Sequence, residues 1–348
     1  MKIQGKISYS SPSNIAILKY WGKQAGNQIP MNPSLSMTLE KCRSNTTIDY
    51  QLGEAKGTHV EVTFEGDRDR AIEAKLKKWF IEISRFYPWL NDASLQIETH
   101  NNFPHSAGIA SSASGMSAMA MCLAGMNAHA SKSQGIFLEQ VSQISRLGSG
   151  SASRSVMGPW VLWGKTDKYK ASSDEYAVLV PGVHADMQQL QDTIIVVDKN
   201  PKSISSRDGH GLMDGHPWRE GRIRQAHDNL ADLLHALQTG DWALFQKITE
   251  NEALSLHALM FASKGGMMLW KGNTVEWMHY LRQQREVLGL PMAFTLDAGA
   301  NIHLLYPLSV RDKVHQVLEH SPVPSISFIH DSAGQGPDKV RDEVFHQE

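Results

Sequence analysis

A stretch of small residues at 102–114, NFPHSAGIASSAS, leads directly into the apolar run GMSAMAMCLAGM. A flexible linker would continue in glycine, serine and polar residues, because such chains lack apolar surface to bury. Here alanine, methionine and leucine follow, and these residues favour a helix. The pattern therefore predicts a loop followed by a buried helix over 115–130.

Three serines of this segment, Ser111, Ser112 and Ser114, stand where they can cap the first free N–H groups of the helix. A loop that feeds a helix N-terminus collects backbone donors and the positive end of the helix dipole, which suits a phosphate group. A tightly packed helix start with serine caps explains the same residues. Both interpretations stay open on this stretch alone.

Composition limits the class of protein. The 348 residues predict two domains, and a hydrophobic content of 41% is ample for packed cores. A net charge of -2 with no run of lysine and arginine argues against nucleic acid or an anionic membrane as a partner. Only Cys42 and Cys122 are present, so we expect neither disulfides nor a cysteine metal site, but a reducing, cytoplasmic location. We also expect neither a signal peptide nor a membrane span, which needs ~18 apolar residues.

The order of periodic segments predicts an α+β protein. Residues 1–65 contain short strand-like runs, and residues 68–88 have helical periodicity. From 217 to 262 the chain is nearly all helical and is interrupted at Gly240, which predicts a pair of helices. The run MAFTLDAGANIHLLY is interpreted as one strand. The change of character near 185–190 predicts a boundary between domains 1–187 and 188–348, and the last segment can pack back on the first domain.

Four short stretches carry chemistry that is unusual for their positions. Lys19 lies inside the apolar run of SNIAILKYWGK, and Arg154 follows three serines in GSGSASRS. The polar loop at 202–210 follows an apolar strand, and Asp297 stands at a strand end. Each has an ordinary explanation: a lysine extending to the surface, an exposed arginine on a glycine turn, a surface loop and a turn-capping aspartate. Together they suit recognition of anions by cationic groups and activation of a hydroxyl by a carboxylate.

In this order the stretches resemble the diphosphomevalonate decarboxylases, members of the kinase superfamily that includes galactokinase, homoserine kinase and mevalonate kinase (the GHMP kinases). The matching pieces span positions 14 to 301 and are NIAILKYWGK, NPSLSMTL, NNFPHSAGIASSASG, GSGSASRS, SSRDG and DAGAN. The resemblance implies an N-terminal domain like the second domain of ribosomal protein S5, a ferredoxin-like C-terminal domain and a site between them. It favours the phosphate-binding interpretation of the small-residue loop.

The resemblance also implies an activity: ATP-dependent decarboxylation of mevalonate 5-diphosphate to isopentenyl diphosphate through phosphorylation of the 3-hydroxyl. Asp297, Lys19 and Arg154 would be catalytic. The diphosphate would be bound by Tyr20, Lys23, Ser149, Ser151 and Arg207, and the carboxylate by Arg154. ATP would be bound by Asn102, Pro104, Gly108, Ala110, Ser111 and Ser112, with Ser205 and Ser206 closing over the γ-phosphate. The resemblance also implies Mg²⁺, for which no protein ligand is assigned. A homodimer is implied because members of the family are commonly dimers.

The sequence departs from the family pattern at three places. Ala300 replaces the frequent proline of DAGPN, Ser153 replaces the frequent cysteine of GSACRS, and His210 replaces the frequent methionine after SSR-x-G. These departures affect substrate preference more than the reaction. A mevalonate 3-kinase, a decarboxylase acting on the monophosphate, and a non-catalytic small-molecule-binding relative are the alternatives.

Overall fold

Two β-sheets and their covering helices make up the described part of the chain. The computed structural model describes residues 2–24, 28–53, 56–104, 109–131, 135–200 and 206–347. The strands are β1 (Ile3–Leu18), β2 (Ser34–Leu52), β3 (Gly57–Phe64), β4 (Asp67–Arg68), β5 (Asp92–Asn101), β6 (Trp160–Trp163), β7 (Val178–Leu179), β8 (Gln191–Val196), β9 (Ala293–Thr295), β10 (Ile302–Tyr306), β11 (Ser327–Ser332) and β12 (Asp338–Gln347). The helices are α1 (Arg70–Ile83), α2 (Ser111–Ser131), α3 (Leu138–Gly148), α4 (Ala185–Gln188), α5 (Ser206–Gly211), α6 (Arg219–Thr239), α7 (Trp242–Ala262), α8 (Gly272–Leu288) and α9 (Arg311–Glu319).

The larger sheet has eight strands in the order β12-β1-β2-β5-β3-β4, with β6 beside β2 and β7 beside β6. Strands β1 and β2 are antiparallel, while β3 and β5 are parallel and are connected through α1. A parallel pair needs such a crossover helix. Asp69 begins α1 by accepting hydrogen bonds from the backbone N–H groups of Ala71 and Ile72. The helix ends at Ile83, five residues before the predicted end at 88.

Strands β1 and β2 are longer than the sequence pattern predicts. SLSMTLE and NTTIDYQL were expected to be separate strands, yet both belong to β2, and β1 continues through NIAIL to Leu18. From Ile7 to Leu18 every residue of β1 is buried, because helices and neighbouring strands cover both faces. Such a strand loses the alternation of apolar and polar residues that marks a strand with one exposed face. Because β1 ends at Leu18 inside the protein, Lys19, the next residue, also lies in the interior.

Helix α2 packs across this sheet, as its apolar composition predicts. It begins at Ser111, four residues before the expected start, so Ser111 and Ser112 belong to its first turn. Its middle is buried on all sides among residues of the sheet and of α1 and α3, since it has no polar face. This core includes Ile48, Trp79, Met119, Leu123 and Ile144.

The smaller sheet has four antiparallel strands in the order β11-β8-β10-β9. The predicted helical pair is confirmed as α6 and α7, and Gly240 ends α6 in a left-handed conformation with φ of 75°. The interpretation of MAFTLDAGANIHLLY as one strand is wrong. It forms β9 and β10, which pair with each other, and the turn-forming residues of DAGAN lie between them. Asp297 is consequently on the connection between two paired strands.

The two sheets are joined by one buried carboxylate and by the end of the chain. Asp331 on β11 accepts hydrogen bonds from the backbone N–H groups of Glu40, Lys41 and Cys42 at 3.0, 2.8 and 2.7 Å. Strand β12, rich in charged residues and not predicted, pairs antiparallel with β1. The α+β class is confirmed, whereas the boundary at 187 stays a prediction. Among the described helices, none has the length and apolar character to cross a membrane.

Candidate active site

Lys19 and Asp297 lie next to each other although 278 positions separate them in the chain. The Lys19 Nζ donates to Asp297 Oδ1 at 2.8 Å and to the Ala16 carbonyl at 2.5 Å. The Lys19 side chain is 1% exposed and that of Asp297 is 27% exposed, so the carboxylate is the accessible partner. His257 Nε2 donates to the Asp297 carbonyl at 3.1 Å and holds the backbone of this turn. The pair thus presents one oriented carboxylate.

A buried ion pair between α6 and α7 holds the backbone of Lys19. Arg222 contacts both carboxylate oxygens of Glu252 at 2.6 Å, and the two side chains are 2% and 0% exposed. The Lys19 N–H donates to Glu252 Oε2 at 2.9 Å, while its carbonyl accepts from Arg222 Nη2 at 3.2 Å and from Asn32 Nδ2 at 3.0 Å. Arg222 and Glu252 were missed by the sequence analysis. Their only signal is two charges within helices, and such charges are usually solvated.

Burial and nearby charges act on Lys19 in opposite directions. Removal from water lowers the pKa of its ammonium group, and the Asp297 and Glu252 carboxylates raise it again. Arg154 lowers it further by like-charge repulsion. Because desolvation is the largest of these effects, Lys19 depends on its carboxylate partners to stay charged. An ammonium held this way beside a carboxylate can stabilise negative charge that develops during a reaction.

Arg154 is brought to the same place by the turn that follows α3. It lies in a 3₁₀ helix, Gly150–Ser155, and is 2% exposed. Its Nη1 donates to Ser34 Oγ at 2.7 Å and its Nη2 to Asn14 Oδ1 at 3.5 Å. Burial lowers the pKa of the guanidinium to about 10, and Asp297 opposes that change. The Nε is buried without a hydrogen-bond partner in the described part of the chain, as expected for a group that awaits an anion.

Glycine is needed where this turn meets the aromatic wall. A Cβ on Gly150 would lie 2.7 Å from Tyr20 Oη and 3.0 Å from the Trp163 ring. The guanidinium carbon of Arg154 lies 5.9 Å from the Tyr20 ring centroid and 5.8 Å from that of Trp163. These distances are typical of cation–π contacts, so Tyr20 supports Arg154 as well as lining the site.

These groups surround one cavity of about 550 Å³. Among the described residues of its lining, Lys19, Lys23, Lys75 and Arg154 give it four cationic side chains, against the single carboxylate of Asp297. A nearly neutral protein therefore concentrates positive charge in one place, which raises the local concentration of anionic ligands. The lining also includes Asn14, Tyr20, Ala110, Ser112, Ser149, Ser151 and His210. Asn14 and Lys75 were missed, because an isolated asparagine and a helical surface lysine carry no specific pattern.

The predicted phosphate loop contributes part of this lining. Ala110 and Ser112 face the cavity from the start of α2, and Ser112 Oγ lies 3.5 Å from Ser149 Oγ. Ser111 is in the same first turn, whereas Pro104, near the beginning of the loop, is not among the residues that line the cavity. The side chain of Asn102 binds the backbone of β2: its Oδ1 accepts from the Arg43 N–H and its Nδ2 donates to the Lys41 carbonyl. Gly108 lies outside the described residues.

The polar segment predicted as a loop at 202–210 is a short helix in its described part, α5. Ser206 and Arg207 belong to this helix, and their side chains are outside the described features, as is residue Ser205 altogether. The predicted roles of these three residues therefore stay predictions. Helix α5 places His210 on the cavity, where it is 7% exposed. His210 Nδ1 accepts a hydrogen bond from the Gly22 N–H at 3.0 Å.

His210 is expected to make the stability of the protein depend on pH. Burial, then repulsion from Lys23 and Arg154, lowers its pKa to about 3. In the unfolded chain the ring takes up a proton below about pH 6.5, whereas the folded protein keeps it neutral. The contribution is therefore complete above pH 6.5 and is lost by up to ~1.4 kcal/mol per pH unit as the pH falls from there towards 4.

Urea unfolding of the wild type and of His210→Asn at pH 7 and pH 5 measures this effect. The difference between the proteins isolates His210 from other titrating groups, because both contain all the others. The wild type should lose more stability between the two pH values than the variant. Equal losses would contradict a neutral, buried His210.

Comparison with known proteins points to one family of relatives. The family model of the diphosphomevalonate decarboxylase-like N-terminal domain matches residues 11–177. A diphosphomevalonate decarboxylase of Ganoderma lucidum is 30% identical over 338 residues, covering 90% of this chain and 81% of the relative. A phosphomevalonate decarboxylase of Haloferax volcanii is 25% identical and covers 83% of this chain and 84% of the relative.

Solved structures of similar proteins match this chain over its full length. A structure that concerns the mevalonate diphosphate-mediated ATP binding of the mevalonate diphosphate decarboxylase from Enterococcus faecalis has a TM-score of 0.80, 27% identity and 100% coverage of both chains. Another, described as MDDEF in complex with MVAPP, AMPPCP and magnesium, has a TM-score of 0.81, 27% identity and the same coverage. The predicted GHMP kinase fold is confirmed by these full-length matches. With 30% identity over most of its length to a curated relative and a matching N-terminal family model, this chain belongs to the diphosphomevalonate decarboxylase family.

Proposed function

We propose that the protein catalyses the ATP-dependent decarboxylation of mevalonate 5-diphosphate to isopentenyl diphosphate, ADP, phosphate and CO₂. The observation that carries the proposal is the Lys19–Asp297 pair at 2.8 Å on a cavity that also contains Arg154. The substrate has a diphosphate at one end, a carboxylate at the other and a tertiary hydroxyl between them. One accessible carboxylate among four cationic side chains is complementary to all three groups.

The chemistry has two stages. Asp297 accepts a hydrogen bond from the tertiary hydroxyl, orients its oxygen for attack on the γ-phosphorus of ATP and takes up its proton. As the new oxygen–phosphorus bond forms, the bond between the γ-phosphorus and the bridging oxygen breaks, and ADP leaves. Lys19 stabilises the negative charge that develops on the oxygen. In the second stage the bond between C3 and the phosphorylated oxygen breaks, and its electron pair leaves with phosphate. The electrons of the bond to the carboxylate carbon then form the new double bond, and CO₂ is released.

The remaining assignments follow charge and position. Arg154, with its unpartnered Nε, binds the substrate carboxylate; Tyr20, Lys23, Ser149, Ser151 and Arg207 bind the diphosphate. Ala110 and Ser112 adjoin the ATP phosphates at the start of α2, where backbone donors and the helix dipole favour anions. Asn102, Pro104, Gly108, Ser111, Ser205 and Ser206 complete the ATP site in this proposal.

Mg²⁺ fits the residues of this site through oxygen donors. In the described part of the chain no group of three histidine, cysteine or acidic side chains is placed to hold a metal. The hydroxyls of Ser112 and Ser149, 3.5 Å apart, are suitable donors beside the phosphates, since Mg²⁺ usually binds through phosphates, waters and few protein ligands. When bound, the ion shields charge on the phosphate oxygens. The positioning of the substrate and of the ATP phosphates is supplied by residues of the chain.

Related activities are distinguished by two measurements on the same protein. We would incubate it with ATP, Mg²⁺ and mevalonate, its 5-phosphate or its 5-diphosphate in separate reactions, and follow both ADP and CO₂. The proposal expects both products from the 5-diphosphate with the highest kcat/KM. The similarity to the Haloferax volcanii phosphomevalonate decarboxylase makes the monophosphate the second candidate, for which the 5-phosphate would be preferred.

Other outcomes would overturn the proposal. ADP without CO₂ would identify a 3-kinase, and neither product from any substrate would identify a non-catalytic relative that binds small molecules. Cytoplasmic location and a homodimer also belong to this proposal. The location is supported by the two cysteines, Cys42 and Cys122, which are buried as free thiols.

A further inference from the structure

We propose that His210 is a substrate-binding, specificity-determining residue that donates a hydrogen bond from Nε2 to the diphosphate end of the substrate. This inference rests on the function proposed above and adds a neutral donor to its cationic groups. The side chain is nine-tenths or more buried, lines the cavity and belongs to α5, three positions after Arg207.

The orientation of the ring is determined from one side by the backbone. A ring nitrogen that accepts a hydrogen bond from an N–H group must carry a lone pair. The hydrogen bond from the Gly22 N–H, at 3.0 Å, therefore makes Nδ1 an unprotonated acceptor. In a neutral imidazole the proton is then on Nε2. Since the two nitrogens lie on opposite sides of the ring carbon that joins them, Nε2 points away from Gly22.

Two aromatic rings restrict the remaining freedom. The His210 ring centroid lies 4.2 Å from that of Tyr20 and 5.1 Å from that of Trp21. Helix α5 approaches this wall closely, because a Cβ on Gly209 would lie 2.6 Å from Trp21 Cη2. Gly22, with φ of 93°, turns its own N–H towards the ring, and a side chain there would meet Met31 Sδ at 2.7 Å. The donor is therefore preorganised before a ligand arrives, which reduces the entropy lost on binding.

The surrounding charges indicate which part of the substrate meets His210. Lys23 is the cation that acts most strongly on the ring, followed by Arg154. In the proposed function Lys23 binds the diphosphate, so the nearest anionic group to Nε2 is a phosphate oxygen. A neutral donor fits here because a further full charge beside two cations would be repelled. A thioether in the same place could not donate a hydrogen bond.

Two matched variants separate the donor from the structural contact. In His210→Asn the amide oxygen can replace Nδ1 and accept from Gly22, but no donor reaches the Nε2 position. In His210→Gln the amide nitrogen can replace Nε2. We expect His210→Asn to raise KM for mevalonate 5-diphosphate about tenfold, or ~1.4 kcal/mol, with little change in kcat, since it removes a hydrogen bond to a charged group. His210→Gln should stay within about threefold of the wild type, and the exposed His235→Asn should match it.

Binding of inorganic pyrophosphate, measured by calorimetry, tests the same contact without turnover. His210→Asn should weaken pyrophosphate binding by a similar factor, and His210→Gln should not. If the wild type fails to turn over the 5-diphosphate, the proposed function fails, whereas this result still reports on the phosphate contact. The inference is overturned if His210→Asn keeps the wild-type KM and pyrophosphate affinity while a thermal unfolding transition shows that the variant is folded. It is also overturned if His210→Asn and His210→Gln lose pyrophosphate affinity to the same extent, because only a packing role of His210 would then remain.

Discussion

Replacement of Asp297 by asparagine is expected to abolish formation of both ADP and CO₂ from mevalonate 5-diphosphate. The amide cannot accept the hydroxyl proton, and it leaves the buried Lys19 ammonium without the carboxylate that lies 2.8 Å away. Loss of that partner allows burial to lower the pKa of Lys19 further, so the charge that stabilises the transition state is weakened as well. Both consequences reduce kcat.

Binding should be much less affected, because the substrate diphosphate and carboxylate contact other groups. The dissociation constant for the 5-diphosphate, measured by calorimetry, should stay within about tenfold of the wild type, or ~1.4 kcal/mol. Asp312→Asn is a suitable control, since that side chain is 85% exposed on α9. Near-wild-type turnover by Asp297→Asn would disprove the role assigned to this carboxylate.

Replacement of Glu252 by alanine is expected to lower the free energy of unfolding by about 3–5 kcal/mol, because it leaves the fully buried Arg222 without its counter-ion. It also removes the acceptor of the Lys19 N–H. Urea unfolding at pH 7 measures the first effect. The kcat of the remaining folded protein measures the second, which we expect to fall while KM changes less, since Glu252 acts through Lys19.

A double variant tests whether the charge or the packing matters. Glu252→Leu combined with Arg222→Met removes both charges together, and it should be more stable than Glu252→Ala because no isolated charge stays buried. Glu343→Ala provides a surface comparison: its partner Arg341 and Glu343 itself are 46% and 43% exposed, and exposed pairs contribute ~1 kcal/mol or less. If Glu252→Ala lowers the free energy of unfolding by less than an exposed pair contributes, the Arg222–Glu252 pair does not stabilise the site.

Local patterns in the sequence predicted most of the secondary structure and the composition of the site. The helical periodicity around Leu76 and Trp79 predicted α1, and the apolar run after the small-residue loop predicted α2. Gly240 predicted the break between α6 and α7. These predictions succeed because burial of one face and capping of one end depend on residues close together in the chain.

Contacts between distant segments were accessible only through the resemblance or not at all. The resemblance implied that Lys19 and Asp297 are both catalytic, and the structure brings them together. Nothing in the sequence indicated that Arg222 and Glu252 hold the backbone of Lys19. The last segment was expected only to pack back on the first domain, and its pairing with β1 as strand β12 was not predicted. The continuous burial of β1 likewise hid its length, since alternation is absent when both faces are covered.

The chemical groups of the site were therefore evident from the sequence: a lysine in an apolar run, serines and an arginine in a glycine-rich turn, and an aspartate at a strand end. Which of them meet, which are buried and which hydrogen-bond donor contacts which acceptor became evident from the folded chain. The physical reason is that a side chain's charge and hydrogen-bonding capacity belong to the residue, whereas its solvation and partners belong to the surroundings. Those surroundings, here two sheets and the helices α6 and α7, come from segments hundreds of positions apart.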